Sequence, residues 1–488
     1  MSNFSQVHPQ GMLAVGLALV ITVGSSLVAY AEKILTLQEA LSLAQQHSPV
    51  LKASRQDLQA SDAQRAIAGG AYLPKVDVTE TFTNTNNPAQ AFGLLLNQGR
   101  FTAADFNTTT LNRPGSTENY RAAVTLTQPV YNGGRERLGL QMAEIGQAAS
   151  AENFSHVQQR VLFTVTKAFY DLVMAKAVRV VSRETVQIAE ANLKQIQSRF
   201  KGGLTVKSDL LQADVRLASL REEAIRADQA VRVAAIGLRH GIGLNEEVDT
   251  EKPLAVEEGR TLDLHLLVSR ALDQRPDFRV LSAELRKTQV GVQMAKSAFL
   301  PNFNLQTSYE LNNTAPVSPN GSNNYVALGI VSLNLFNGMS DQAQVQKAKA
   351  NEEKVRELME AKRREIEVEV VDAYYALSAA SGRIMVTQSA VAQAEENLRI
   401  VGNRYQSGLS PVLDLLTADA VAQAEENLRI VGNRYQSGLS PVLDLLTAEL
   451  AFNQVKQNRI HAMYDLQLGR ARLDLMIGEF HQTGQGDR

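Results

Sequence analysis

RYQSGLSPVLDLLTA occupies residues 404–418 and returns unchanged at 434–448. The identity extends over residues 390–418 and 420–448, so that 29 residues recur at an offset of 30. Its centre, Ser407-Gly408-Leu409-Ser410-Pro411, carries the marks of one helix ending and another beginning. Gly408 suits the left-handed residue just past a helix C-terminus, Ser410 an N-cap and Pro411 the first helical position. A turn this short joins antiparallel helices. Gly202-Gly203-Leu204-Thr205 is its counterpart in the first half of the chain, with Thr205 expected as the cap.

The helices on either side are long. Residues 135–200 and 339–405 hold no proline over 66 and 67 residues, each about 100 Å of helix at a rise of 1.5 Å per residue. That exceeds the reach of a globular core helix. Segments such as AEANLKQIQSRF and AVAQAEENLRI are rich in Ala, Gln, Glu and Arg, a composition that suits rods packed side by side.

An older duplication lies beneath the recent one. Ser48-Pro49 matches Arg275-Pro276 and Tyr72-Leu73-Pro74 matches Phe299-Leu300-Pro301, both at an offset of 227. Tyr131-Asn132-Gly133 matches Phe336-Asn337-Gly338, Phe169-Tyr170 matches Tyr374-Tyr375 and Arg199-Phe200 matches Arg404-Tyr405, all at 205. Ile242-Gly243 and Ile477-Gly478 close the series at 235. The boundaries that follow are a first repeat at 32–250, a second at 251–480 and a tail at 481–488. Each repeat reads in one order. Thr36-Leu37-Gln38-Glu39 is a capping box opening a helix toward Gly70. Pro74 then starts a strand, KVDVTETF, in which Val76 and Val78 alternate with polar neighbours. A polar loop at 84–115 precedes a second strand at 119–131, where Val124 and Leu126 alternate. Strands at 302–311 and 325–336 repeat the pattern, with the loop 312–324 between them, giving four strands.

Composition removes other classes. A 44% hydrophobic content excludes a wholly disordered chain. With 49 Lys and Arg against 51 Asp and Glu there is no basic excess for nucleic acid. The absence of cysteine removes thiolate catalysis, disulfides and a lipidated N-terminal cysteine. The seven histidines form no HExxH pair, and there is no P-loop, GxSxG or GxGxxG, so neither an enzyme nor a cofactor is expected. The apolar run at 12–23 is too short to span a bilayer and is followed by Ala29-Tyr30-Ala31, the small-x-small pattern of a signal peptide cleaved after Ala31. This leader, residues 1–31, lacks the usual basic start.

Two repeats, each with a capped helix, Leu-Pro before a strand, aromatic-Asn-Gly before a very long helix and an Arg-aromatic-x-x-Gly-Leu turn followed by Asp, resemble the TolC family of outer-membrane efflux proteins. The likeness covers essentially the whole mature chain. It implies a mainly α fold with a small antiparallel β part: a homotrimer whose long helical hairpins form an α-barrel across the periplasm, and whose four strands per chain build a twelve-stranded outer-membrane β-barrel. Four strands cannot close a barrel, since outer-membrane barrels need at least about eight. A membrane-spanning form of this chain therefore pools strands with its own copies.

The resemblance also implies a function and its residues. The chain would be the exit channel of a tripartite export system, resident in the outer membrane and contacting its lipid. It would receive small toxic compounds or secreted protein from an inner-membrane pump of the RND or ABC type through a periplasmic membrane-fusion adaptor. The adaptor-docking turns would be Gly203-Leu204 and Gly408-Leu409, with Gly438-Leu439 as the duplicate. The gate would set Ser208 and Asp209 opposite Tyr405 or Tyr435, with Asp414 and its copy Asp444 equivalent to Asp209. Repeated by symmetry, such an aspartate forms a ring that favours cations; taken singly, each reads as a solvated helix residue, and no metal site is assigned. The best-known members carry a second aspartate and an arginine where Thr417 or Thr447 and Ser410 or Ser440 stand here, which implies a weaker acidic ring.

The copied segment poses its own question. Thirty extra helical residues in one arm would add about 45 Å and turn its packing face by about 120°. The expectation is that residues 409–437 are extruded around the periplasmic tip while the flanking helices keep their register. A soluble periplasmic coiled-coil scaffold is the alternative. It accounts for helices and leader but leaves four strands and two polar loops without a role.

Overall fold

The computed structural model describes residues 33–203, 205–251, 263–316, 321–406, 429 and 442–480. The expected leader, the tail and the centre of the copied segment lie outside the described residues.

The described residues begin with strand β1 (Lys33–Leu35) and helix α1 (Leu37–His47). The capping box is formed: the Glu39 amide donates to Thr36 Oγ1 at 3.2 Å, and the Thr36 amide donates to the Glu39 carboxylate at 2.9 Å. Where one helix was expected as far as Gly70, there are two. Ser48 is extended at ψ 122° because the proline ring that follows disfavours the helical region, and α2 (Pro49–Gly70) restarts with Pro49 in its first turn. Next come β2 (Lys75–Thr85), α3 (Pro88–Asn97), α4 (Thr108–Asn112) and β3 (Thr117–Asn132). The stretch expected as a plain loop is thus partly helical.

The first hairpin is α5 (Arg135–Lys201) and α6 (Lys207–Ile242), followed by β4 (Val248–Thr250). The second repeat gives α7 (Leu264–Gln274), α8 (Pro276–Lys296), β5 (Asn302–Asn313), β6 (Ser322–Ser332), α9 (Ser340–Gln406) and α10 (Val442–Ile477). The rods match in pairs: α5 and α9 are 67 residues each, α6 and α10 are 36 each. Only the connections differ. Between the described rods lie residues 202–206 in the first pair and 407–441 in the second, thirty more, of which all but 429 lie outside the described residues.

Two equivalent cores hold the rods together near the root of each hairpin. In the first, Ala40 and Ala44 of α1 pack with Val165 and Phe169 of α5 and Leu238 and Ile242 of α6. In the second, Leu267 and Ala271 of α7 pack with Ile366, Val370 and Ala373 of α9 and Leu473 and Ile477 of α10. Each return helix ends on a left-handed glycine pressed against the start of the proline-led helix of its own repeat. A Cβ on Gly243 would sit 2.7 Å from the His47 carbonyl oxygen, and one on Gly478 would sit 2.9 Å from the Arg275 amide nitrogen.

Six strands occur among the described residues rather than four. The additional pair, β1 and β4, is parallel and three residues long, and it ties the start of the first repeat to its end. The other four form one antiparallel sheet in the order β2-β3-β5-β6. The β3–β5 pairing, bulged near Pro129, joins the two repeats. β6 ends at Ser332, short of the expected Phe336.

Candidate functional site

The elements expected to carry function sit at the two ends of the rods. At the hairpin end, the last turn of α5 is closed by amides of Gly202 and Gly203 donating to the Ser198 and Phe200 carbonyls, at 3.1 and 3.0 Å. Gly203 takes φ +72°, a conformation open to glycine at no steric cost. Thr205 is not the cap of α6. Val206 holds that position without a side-chain bond, and the Thr205 hydroxyl donates instead to Asp209 Oδ2 at 2.7 Å. Asp209 lies in the first turn of α6, where the helix dipole favours an anion. Ser208 beside it is exposed.

Leu446 of α10 joins Ile196, Leu210 and Ala213 in a small apolar cluster that fastens the second hairpin onto the first. Asp444 stands two residues before Leu446 in α10, so the helices bearing Asp209 and Asp444 meet at one level. Tyr405 lies in the last turn of α9. Leu204, Gly408, Leu409, Asp414, Tyr435, Gly438 and Leu439 lie outside the described residues. The structure therefore brings Ser208, Asp209 and the segment carrying Asp444 to one end of the molecule.

At the other end is the sheet. Residues paired across antiparallel strands share a face, and the register places Val76 with Leu126 and Thr307, and Val78 with Val124, Tyr309 and Tyr325. Phe82 and Tyr120 complete that face, their rings 4.8 Å apart. Val78 is 76% exposed and Tyr325 80%. The opposite face carries Thr79, Thr81, Thr125, Arg121, Ser308 and Glu310, with Arg121 and Glu310 ion-paired at 3.5 Å. Over β2, β3 and β5 one face is mainly apolar and the other mainly polar, the pattern of a sheet between lipid and a water-filled lumen, while β6 adds Val326 and Leu328 to the polar side. Neither β2 nor β6 has a second strand partner among the described residues.

A third feature went unread in the sequence. Arg275 is buried and donates to both carboxylate oxygens of Asp277, at 3.0 and 2.7 Å, and to Glu369 at 2.5 Å, while Lys362 reaches Asp277 at 3.2 Å. Burial pushes the Asp277 carboxyl up, but the hydrogen bonds and charge of Arg275, with Lys362, outweigh it and hold the group at about 2. This network ties the start of α8 to α9. The signal was the Arg275-Pro276 pair, which served only to mark the repeat. No group of three or more metal-ligating side chains occurs among the described residues, and no described helix is long and apolar enough to cross a membrane.

The model of the family described as outer membrane efflux protein matches residues 40–244 and 267–428. Protein CyaE of Bordetella pertussis is 26% identical over 387 residues, 78% of this chain and 77% of that protein. The pyoverdine export outer membrane protein OpmQ of Pseudomonas aeruginosa is 23% identical over 366 residues, 73% of each. The crystal structure of the outer membrane protein VceC from Vibrio cholerae superimposes with a TM-score of 0.71 at 17% identity, covering 91% of this chain and 96% of that one. By the extent of the family match, the chain belongs to the outer membrane efflux protein family, channels of the outer membrane and not enzymes.

Proposed function

We propose that the chain is the exit duct of a tripartite export system. Three copies pool their sheets into one twelve-stranded barrel and their rods into a tunnel across the periplasm, and the tunnel takes small toxic compounds or secreted protein from an inner-membrane pump through an adaptor. One observation carries this reading: a sheet with an apolar face and two unpaired edges stands at one end of a set of matched helical rods. Such a sheet satisfies its edges in a membrane only by joining other copies. At the far end, the turns at Gly203-Leu204, Gly408-Leu409 and Gly438-Leu439 dock the adaptor. Symmetry makes a carboxylate ring of Asp209, joined by Asp414 or Asp444, with Ser208 facing Tyr405 or Tyr435. The likeness to OpmQ, which exports pyoverdine, favours a small-molecule cargo.

The test is the native mass of the protein extracted from outer membranes. Three chains of residues 32–488 are the expected result. Single chains, or absence from that fraction, would overturn the proposal in favour of a periplasmic scaffold, and a mass short by one copy per chain would remove the thirty-residue repeat from the protein. In planar bilayers, Asp209→Asn is expected to lower cation preference while leaving the trimer intact.

A further inference from the structure

The strand connection at 86–116 is no slack loop. Asn87 caps α3 by accepting from the Gln90 amide at 3.2 Å, and Asn107 caps α4 by accepting from the Thr109 amide at 2.9 Å. Between them Phe92, Phe101 and Phe106 form a chain of edge-to-face contacts with centroids 5.0 Å apart. Next to the strands it leaves and re-enters, the Thr85 hydroxyl donates to Gln90 Oε1 at 2.9 Å and the Ser116 hydroxyl donates to Asn84 Oδ1; away from those ends the unit is latched to the sheet through Gln98. Gln98 is buried, and its Nε2 donates to the Glu118 carbonyl at 2.7 Å and to Asn119 Oδ1 at 2.9 Å; Asn119 Nδ2 in turn donates to Asn312 Oδ1 at 2.9 Å. Arg100 donates to Gln98 Oε1 at 3.2 Å and fixes the amide. A Cβ on Gly99 would lie 3.5 Å from Ser322 Cβ.

The face on which the latch sits is decisive. Asn312 pairs with Ser322 and with Arg121, and Asn119 lies two residues from Arg121, so all three latch residues belong to the polar face that carries the Arg121–Glu310 pair. They stand at the strand ends farthest from the rods. We infer that the 86–116 unit folds inward over the luminal face at the outer mouth and acts as a size filter on what leaves the channel. The inference rests on the export-duct reading above. The second repeat has only residues 314–321 between β5 and β6, so each chain contributes one such unit, and a trimer sets three around the exit. Their apolar, aromatic content makes a constriction that passes slender solutes and resists bulky ones.

The chain has no cysteine, so a single engineered thiol reports cleanly. Ser308 lies on the luminal face, four residues along β5 from Asn312 and so about 14 Å below the mouth. With Ser308→Cys in intact cells, a small impermeant maleimide added from outside should react, while a maleimide on a long polyethylene glycol should react slowly. Replacing residues 88–114 by Gly-Ser-Gly should raise the long reagent's rate about tenfold or more and leave the small reagent's rate within about twofold. Gln98→Ala, which keeps the unit but releases its latch, should move the long reagent in the same direction, and it serves where the deletion fails to assemble. Equal rates for the long reagent with the unit intact, released and deleted would overturn the filter. Failure of the small reagent to react in any form would overturn the channel reading, and the filter with it.

Discussion

The two repeats have kept their rods and rebuilt their joints. α5 matches α9 and α6 matches α10 to the residue, yet the tip connections differ by the length of the copied offset, and one strand connection is a folded unit while the other is a short turn. At the root of the hairpins the contrast is chemical. Gly243 presses on His47 and Pro49 beside a neutral Ser48, whereas Gly478 presses on a buried Arg275 held by two carboxylates. Packing between rods is shared by many side chains and tolerates little change in length. Joints at the surface or at an end answer to local contacts alone, so that is where the repeats diverged.

The largest effect should come from the joint that both repeats share. Gly243→Val and Gly478→Val each force a β-branched side chain into φ near +80° and into backbone under 3 Å away, which should cost about 3 kcal/mol or more each. Thermal unfolding of the two variants in detergent checks this. Similar losses would sharpen the equivalence of the halves, and tolerance at either site would break it.

The next largest should separate the halves. Arg275→Met leaves Asp277 and Glu369 without their main partner and should cost about 3 kcal/mol. Ser48→Ala at the matching position, where no side-chain cap bond exists, should cost under about 1 kcal/mol. Acid probes the same network. A carboxyl whose folded value is depressed to about 2 from 3.8 adds stability above its unfolded value, and that stability is lost as pH falls through 3.8 toward 2. The contribution is about 2 kcal/mol. Acid titration of the unfolding midpoint should show this loss in the parent chain and less of it in Arg275→Met, where only Lys362 still faces Asp277.

The smallest effect concerns the entry to the long rods. Gly134 and Met339 occupy the same place before α5 and α9, and both have positive φ, 78° and 66°. The second repeat therefore holds a side chain where the backbone favours none. Met339→Gly should stabilise by about 1 kcal/mol, and Gly134→Met should destabilise by a similar amount; denaturant midpoints of the two variants check the sign.

Much of this was legible in the sequence. The capping box at Thr36, the proline-free rods, the alternation of Val76 with Val78 and of Val124 with Leu126, and the glycine turn at Gly203 each rest on local rules and stand in the structure. The β1–β4 pair was not legible. Three residues are too few to show a period, and their pairing depends on a contact across the whole first repeat. The cap at Thr205 was misplaced because its hydroxyl bonds to the side chain of Asp209 instead of a backbone amide. α3 could have been found, since Asn87-Pro88 is an N-cap followed by a proline start, but the polar residues around it outweighed PAQAFGLLLN. The Arg275 network was hidden for another reason: Glu369 is far along the chain, and only the packing of α8 on α9 brings it near.

The equality of the rods has a consequence for how such a chain can change over generations. One residue inserted into a rod displaces everything beyond it by about 1.5 Å and 100°, so an insertion in α5 alone would slide its seam out of step with α6, α8 and α10. Lineages of this architecture can lengthen their reach only by matched edits in both repeats, or by adding sequence where a rod has already ended. The thirty-residue copy overlaps the end of α9 and the start of α10, and its centre lies outside the described residues; the expectation that it is extruded at the tip would make it an edit of the second kind.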